Sequence, residues 1–181
     1  MGFRPRRSTE SAAKLITDLV QATWDLKGTA SLLQLDLSGA FDTVNHSFLL
    51  ATLRSLGFKE GLVKWFTSYL SDRTASLSFD SQKSDLKIVR AGVPQGSPLS
   101  PLLFILFITP LYRAIQIDGA SLIGFANDTN VLAYGKDIAS YTLTLEKAFT
   151  LINNWAKTRG LTFNAQKSEL IHFTKSRKPA T

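Results

Sequence analysis

Phe125-Ala126-Asn127-Asp128-Thr129-Asn130 is a polar tip set between two short apolar runs, residues 121–124 and 131–134. Both runs are rich in Ile, Leu, Val and Tyr, side chains that suit a pleated, half-buried surface, so each is predicted to be a strand. Asn and Asp tolerate left-handed dihedrals and bond their own backbone, which makes the tip a hairpin turn. It carries one carboxylate, Asp128. By itself such a turn belongs to many folds, and its meaning depends on what else in the chain converges on it.

Upstream of the tip, the apolar stretch 99–117 is interrupted by Pro101 and Pro110 and contains Arg113. These features make a poor membrane span and a good buried helix. Before it stands Ala91-Gly92-Val93-Pro94-Gln95-Gly96-Ser97-Pro98, a loop dense in Gly and Pro. Residues 74–79 and 86–90 are predicted to pair as a hairpin around the polar run 80–85, with Leu77 and Phe79 alternating onto one buried face. Helices are predicted over 44–56, closed by Gly57, and over 60–70, with Leu62, Val63, Phe66 and Leu70 on one face. The run 30–37 is short, apolar and flanked by small residues, so it is predicted as a buried strand that delivers Asp36 at its end. At the start, Ser8 and Thr9 are candidate caps of a helix whose Ala12, Leu15, Ile16, Leu19 and Val20 keep helical spacing until about Lys27-Gly28. Downstream of the tip, 138–157 is predicted as a long amphipathic helix (Tyr141, Leu145, Ala148, Phe149, Ile152, Trp155) ended by Gly160, and 170–173 as a last strand. Strands and helices alternate irregularly, so the fold class is α+β with a mainly antiparallel sheet flanked by helices.

The composition narrows the chemistry. At 181 residues the chain can bury one core, and a net charge of +7 gathers at its ends, in Arg4, Arg6 and Arg7 and in Lys175, Arg177 and Lys178. Basic ends suit an acidic partner such as nucleic acid. There is no cysteine, which excludes disulfides, zinc–thiolate sites and thiol nucleophiles. No secretory signal is legible, since arginines follow Met1 without an apolar core, and an intracellular setting is expected, nucleus and cytoplasm undistinguished. Two histidines, His46 and His172, are too few for a histidine triad or zinc cluster. The G-x-S-x-G elbow, the phosphate-cradling P-loop and the G-x-G-x-x-G fingerprint are all absent. What remains is carboxylates at strand ends: if the strands of Asp36 and Asp128 are neighbours, two carboxylates meet at one rim. Such a rim suits a hard divalent cation, which takes carboxylate oxygens, water and substrate phosphates and can support in-line phosphoryl transfer. Single aspartates at strand ends are also ordinary turn residues, and on spacing alone that reading is the favoured one.

The surrounding residues choose. Leu35-Asp36-Leu37-Ser38-Gly39-Ala40-Phe41-Asp42-Thr43-Val44-Asn45-His46 closely resembles motif A of reverse transcriptases in the form seen in non-LTR (LINE-type) retrotransposons. Gly92-Val93-Pro94-Gln95-Gly96-Ser97-Pro98-Leu99-Ser100-Pro101 is similar to motif B, Phe125-Ala126-Asn127-Asp128 to the [YF]-x-D-D box of motif C, and Gly160-Leu161-Thr162-Phe163-Asn164 with Lys167-Ser168 to motif D. Gly2-Phe3-Arg4 through Arg7-Ser8-Thr9 resembles the end of the fingers region. The four motifs stand in the family's order and cover nearly the whole chain.

The resemblance implies a polymerase palm at 30–174, a remnant of the fingers at 1–29 and a basic tail at 175–181. It implies magnesium, or manganese in its place, held by Asp36, the Leu37 carbonyl and Asp128, with Asn127 at the other catalytic position of motif C and Lys167 as proton donor to the leaving pyrophosphate. Phe41 would lie under the sugar of the incoming nucleotide, Gln95 and Gly96 against template and nucleotide, and Arg4 and Arg7 against phosphates. The implied partners are an RNA template, a DNA primer and a deoxynucleoside triphosphate, without a membrane. The chain departs from the pattern at Asn127, where the family has aspartate, and at Arg6, where it usually has glycine. It also starts inside the fingers and stops before a thumb. The expectation is therefore a domain fragment whose ancestral RNA-templated DNA synthesis is impaired or lost. A non-catalytic nucleic-acid-binding remnant, or a decayed retrotransposon product, remains the alternative.

Overall fold

Ser8 opens the first helix. Its side chain accepts from the Ser11 amide while the Ser11 hydroxyl accepts from the Ser8 amide, a reciprocal cap that satisfies two of the otherwise orphaned donors of helix α1 (Thr9–Asp25). In this computed structural model, residues 8–125 and 127–175 are described; Arg4, Arg6, Arg7, Arg177 and Lys178 lie outside them. The chain forms two compact units, one drawn from the residues up to Ser38 and from Ile108 onward, the other from Gly39–Phe107.

The first unit is built on a four-stranded antiparallel sheet. Strands β1 (Thr29–Asp36), β6 (Ala120–Phe125), β7 (Asp128–Gly135) and β8 (Glu169–Phe173) lie in the order β6-β7-β1-β8. Alternation along the strands sorts their side chains onto two faces. On one face Ala30, Leu32, Ile123 and Leu132 pack with Val20, Leu15, Ile16 and Leu19 of α1. On the other lie Ser31, Leu35, Val131 and Ala133, all buried. There helix α5 (Ile138–Lys157), capped by Asp137 with Ser140, sends Tyr141 down to hydrogen-bond Ser31 at 2.7 Å. His172 Nδ1 meets the same Ser31 hydroxyl at 2.5 Å, so this histidine has a structural partner. The sheet thus lies between α1 and α5, with β1 and β7 as its two central strands.

The second unit contains helices α2 (His46–Ser55) and α3 (Glu60–Leu70), which bury Leu49, Leu53, Val63, Phe66 and Leu70. Helix α4 (Ser100–Ala114) begins in this unit, where Leu103, Phe104 and Phe107 are buried, and its last turns from Ile108 belong to the first. Pro110 sits inside α4, which runs on past it as the one buried helix predicted. No helix among the described residues is long and apolar enough to cross a membrane.

The chief departure from expectation is the hairpin after α3. It divides into two short ladders, β2 (Thr74–Ala75) with β5 (Lys87–Ile88) and β3 (Ser78–Phe79) with β4 (Gln82–Lys83), turning through Asp80 and Ser81, both in the left-handed region. Leu77 and Phe79 are 81% and 79% exposed, so the alternation predicted to mark a buried face marks none. A two-stranded ribbon gains a core only if a third layer covers it, and none of the described residues does so. The helix faces are also narrower than predicted, since Leu62, Phe48 and Phe149 lie partly in solvent.

Candidate active site

Strand β1 runs antiparallel to β7, and the register puts Asp36 directly opposite Asp128, the last and first residues of their strands. The predicted meeting of two carboxylates occurs, although Asp128 starts β7 instead of occupying the turn. Cross-strand partners point to the same face, so both carboxyl groups emerge beside Gln34 and Asn130, which pair one step further in. Together with Lys167 and Glu169 they line a cleft of about 260 Å³.

The neighbours of Asp36 are the key to the electrostatics. Asn127, at the hairpin tip, donates through Nδ2 to Asp36 Oδ1 at 3.4 Å. Lys167 Nζ stands 3.9 Å from Asp36 Oδ2, with the lysine side chain 68% exposed and that of Asp36 22% exposed. Among the described residues, no such cation stands beside Asp128. Its carboxyl is pushed above the ordinary aspartate range, first by loss of water and second by the charge of Asp36. A neutral amide at 127 therefore tempers what would otherwise be three converging negative charges.

Leu37 and Lys167 are placed by the segment after α5. Asn164 N–H donates to Asp36 O and Ser38 N–H to Thr162 O, both at 2.9 Å, flanking a bridge between Leu37 and Phe163. These bonds define a non-hydrogen-bonded pair, so the Leu37 carbonyl projects to the other edge of β1, the edge β7 occupies. Asn164 then accepts from the Lys167 and Ser168 amides at 3.2 and 3.0 Å, closing the turn that carries Lys167.

Behind Asp128, two residues that sequence reasoning passed over hold β7 in place. Tyr112 of α4 hydrogen-bonds Thr129 at 3.0 Å, and Gly124 of β6 lies so close to the Tyr112 ring that a Cβ would fall on its hydroxyl. Loss of water pushes the Tyr112 hydroxyl up, the Thr129 bond opposes the shift, and the charge of Asp128 adds to it. A glycine inside a predicted strand marks such close approach and was the available signal.

The donor set fits a hard divalent cation. It offers two facing carboxylates, one of them destabilised by the other's charge, a backbone carbonyl at the same edge, and the buried Asn130 Oδ1, which has no hydrogen-bond partner among the described residues. Among the described residues no three or more His, Asp or Glu stand close enough together to hold a metal ion, so the site rests on two carboxylates.

Phe41, Gln95 and Gly96 lie in the second unit. Phe41 packs at a tilt on Phe104, ring centroids 5.3 Å apart, and Gln95 donates to Asp42. Gly96 adopts φ +87° with open space around its Cβ position. Arg4 and Arg7 fall outside the described residues.

Comparison with known proteins identifies the family and the fold. The family profile described as reverse transcriptase (RNA-dependent DNA polymerase) matches residues 1–179. The chain is 31% identical to the RNA-directed DNA polymerase from mobile element jockey of Drosophila melanogaster, with 95% of this chain and 19% of that protein covered. It is also 31% identical to the Pol polyprotein of the type-1 retrotransposable element R2 of Popillia japonica, covering 87% of this chain and 23% of the relative. The probable polymerase from transposon BS of Drosophila melanogaster is 30% identical over 99% of this chain and 20% of its own length. The chain thus spans about a fifth of the curated relatives it matches. Among solved structures, apo telomerase from Candida tropicalis superposes with a TM-score of 0.70 at 16% identity, over 95% of this chain and 36% of that one. Telomerase from Candida albicans, solved with the TWJ fragment of telomeric RNA, gives 0.66 at 13% identity, over 91% of this chain and 31% of its own.

Proposed function

Because the chain belongs to the reverse transcriptase (RNA-dependent DNA polymerase) family, we propose that Asp36 and Asp128 form the cation-holding rim of a nucleotidyl-transfer site and that Asn127 weakens it. The single observation carrying this reading is the pairing of Asp36 with Asp128 across neighbouring strand ends. The reaction is attack of a primer 3′-hydroxyl on the α-phosphate of a deoxynucleoside triphosphate, templated by RNA, with pyrophosphate leaving. Reverse transcriptases work with divalent metal ions, and magnesium, with manganese as substitute, is assigned to this rim. When bound, such an ion lowers the pKa of the attacking hydroxyl and neutralises charge on the phosphates.

The chain's own residues then have separate tasks. Asp36, Asp128 and the Leu37 carbonyl hold the ion. Lys167 carries a proton at Nζ for the departing pyrophosphate. Phe41 presents an aromatic face to the sugar of the incoming nucleotide, Gln95 and Gly96 contact template and nucleotide, and Arg4 and Arg7 contact phosphates.

Asn127 favours a second reading, a nucleic-acid-binding domain with little or no catalysis. Asparagine keeps the shape of aspartate and contributes no charge. At about 4 Å and an effective dielectric of about 20, one charge on a charge is worth about 4 kcal/mol, and that loss in the transition state slows a reaction about a thousandfold. Manganese binding followed by electron paramagnetic resonance, alongside primer extension on an RNA template, separates the readings. Asn127→Asp is expected to bind manganese more tightly and to extend primers 100- to 1000-fold faster, on the order set by the lost charge. Extension by the native chain at the rate of Asn127→Asp overturns the weakening, and absence of manganese binding to both overturns the cation rim.

A further inference from the structure

Within the second unit, the loop that carries Gln95 is fastened repeatedly to residues 41–46. Val93 N–H donates to Phe41 O and Gly92 N–H to Val44 O, both at 2.8 Å. The Gly92 carbonyl accepts from His46 Nε2 at 2.8 Å and from Arg73 Nη1 at 3.2 Å. Gly92 has φ +85°, and a Cβ there would stand 2.7 Å from the Asp42 carbonyl oxygen, so the approach is open to glycine alone. On this fastening, Gln95 Nε2 donates to both carboxylate oxygens of Asp42, at 2.9 and 3.0 Å. An ionised carboxylate only accepts, so chemistry settles which way the amide lies: its nitrogen faces Asp42 and its Oε1 is turned away. Both side chains are exposed, so Oε1 is within reach of a ligand.

We infer that Asp42 is a positioning residue that holds Gln95 as an obligate acceptor, so that this position reads the 2′-hydroxyl of an RNA strand and rejects phosphate. The inference rests on the nucleic-acid reading given above. Backbone phosphate oxygens are acceptors without a proton to give, and the Asp42 charge repels them. Along a strand, the donors that a nucleic acid offers are the amine and ring N–H groups of its bases and the 2′-hydroxyl. The base donors differ from base to base, whereas the 2′-hydroxyl recurs at every RNA nucleotide and is missing from DNA. A templated reaction must accept every base, which leaves the hydroxyl as the partner.

The test is fluorescence anisotropy of the full chain, at low salt, with three end-labelled strands of one sequence: RNA, 2′-fluoro RNA and DNA. The fluoro strand keeps an RNA-like sugar without a donor. RNA is expected to bind about fivefold more tightly than 2′-fluoro RNA, the size of one hydrogen bond. Asp42→Asn lets Gln95 turn its nitrogen outward and is expected to erase that preference. The double variant Asp42→Asn/Gln95→Glu restores it, because the new amide donates to the new carboxylate, which again offers only acceptors. A merely structural role for Asp42 predicts no such rescue. A preference that survives Asp42→Asn, or fails to return in the double variant, overturns the inference. Equal binding of RNA and 2′-fluoro RNA by the native chain overturns it while leaving the functional reading intact; failure to bind any strand overturns both.

Discussion

Asp128 begins strand β7 under two pressures of the same sign, loss of water and the charge of Asp36 opposite. Both favour its protonated form, so its folded pKa stands above the unfolded one. The sign follows directly: the folded state binds the extra proton, and the stabilisation this provides is complete below the unfolded value and lost as pH rises through the folded one. Asp128→Asn removes the penalty. In chelator, the variant is expected to melt higher than the native chain at pH 7, with the gain vanishing as pH falls below the ordinary aspartate range. Thermal melts at several pH values decide this, and a gain that is flat with pH would show that the charge of Asp128 is not the cause. Of this site the sequence disclosed the residue types and their motif order. That Asn127 donates to Asp36, and that Lys167 stands beside it, follows from a hairpin and a turn that each reach Asp36 from more than ninety residues away in the chain.

At the scale of elements, the β6–β7 hairpin is held by a close contact as well as by its ladder. Gly124 leaves room for the Tyr112 ring, whose hydroxyl reaches Thr129 next to Asp128. Gly124→Ala is expected to cost about 2 kcal/mol through overpacking. Combining it with Tyr112→Phe, which removes the hydroxyl the new methyl would strike, should cost less than the sum of the two single changes. Urea unfolding of the four chains of this cycle checks the coupling, and strict additivity would contradict it. The ribbon of β2 to β5 behaves oppositely. Replacing exposed Leu77 and Phe79 by serine should change stability by no more than about 0.5 kcal/mol each, while Leu53→Ala, in a fully buried position, should cost about 2–5 kcal/mol. Alternation in a sequence states which residues share a face; only the layers around that face decide whether it is buried. Helices were more legible, because their caps are local. Ser8, Asn45 and Asp137 each accept a hydrogen bond from an amide three residues on, and all three helices start beside them.

On the scale of the whole molecule, a net charge of +7 with arginines and lysines at both ends should govern affinity for nucleic acid. Each phosphate contact to a single strand contributes about −0.7 to the slope of log affinity against log salt. Replacing Arg4 and Arg7 together by serine is expected to flatten that slope by about 1.4; an unchanged slope would remove these arginines from the interface. The chain forms two units, each with its own buried side chains. The sequence by itself determined the class of elements, the order of the four motifs and the family, because periodicity, capping and short motifs are local properties of neighbouring residues. It also determined that Asp36 stands at a strand end. Tertiary structure alone decided that Asp36 and Asp128 are partners in register, that Tyr112 and Gly124 lock β7, that Leu77 and Phe79 stay in water, and that Asp42 faces Gln95. Each of these depends on which strand, helix or loop packs alongside, or on none doing so, which no local pattern records.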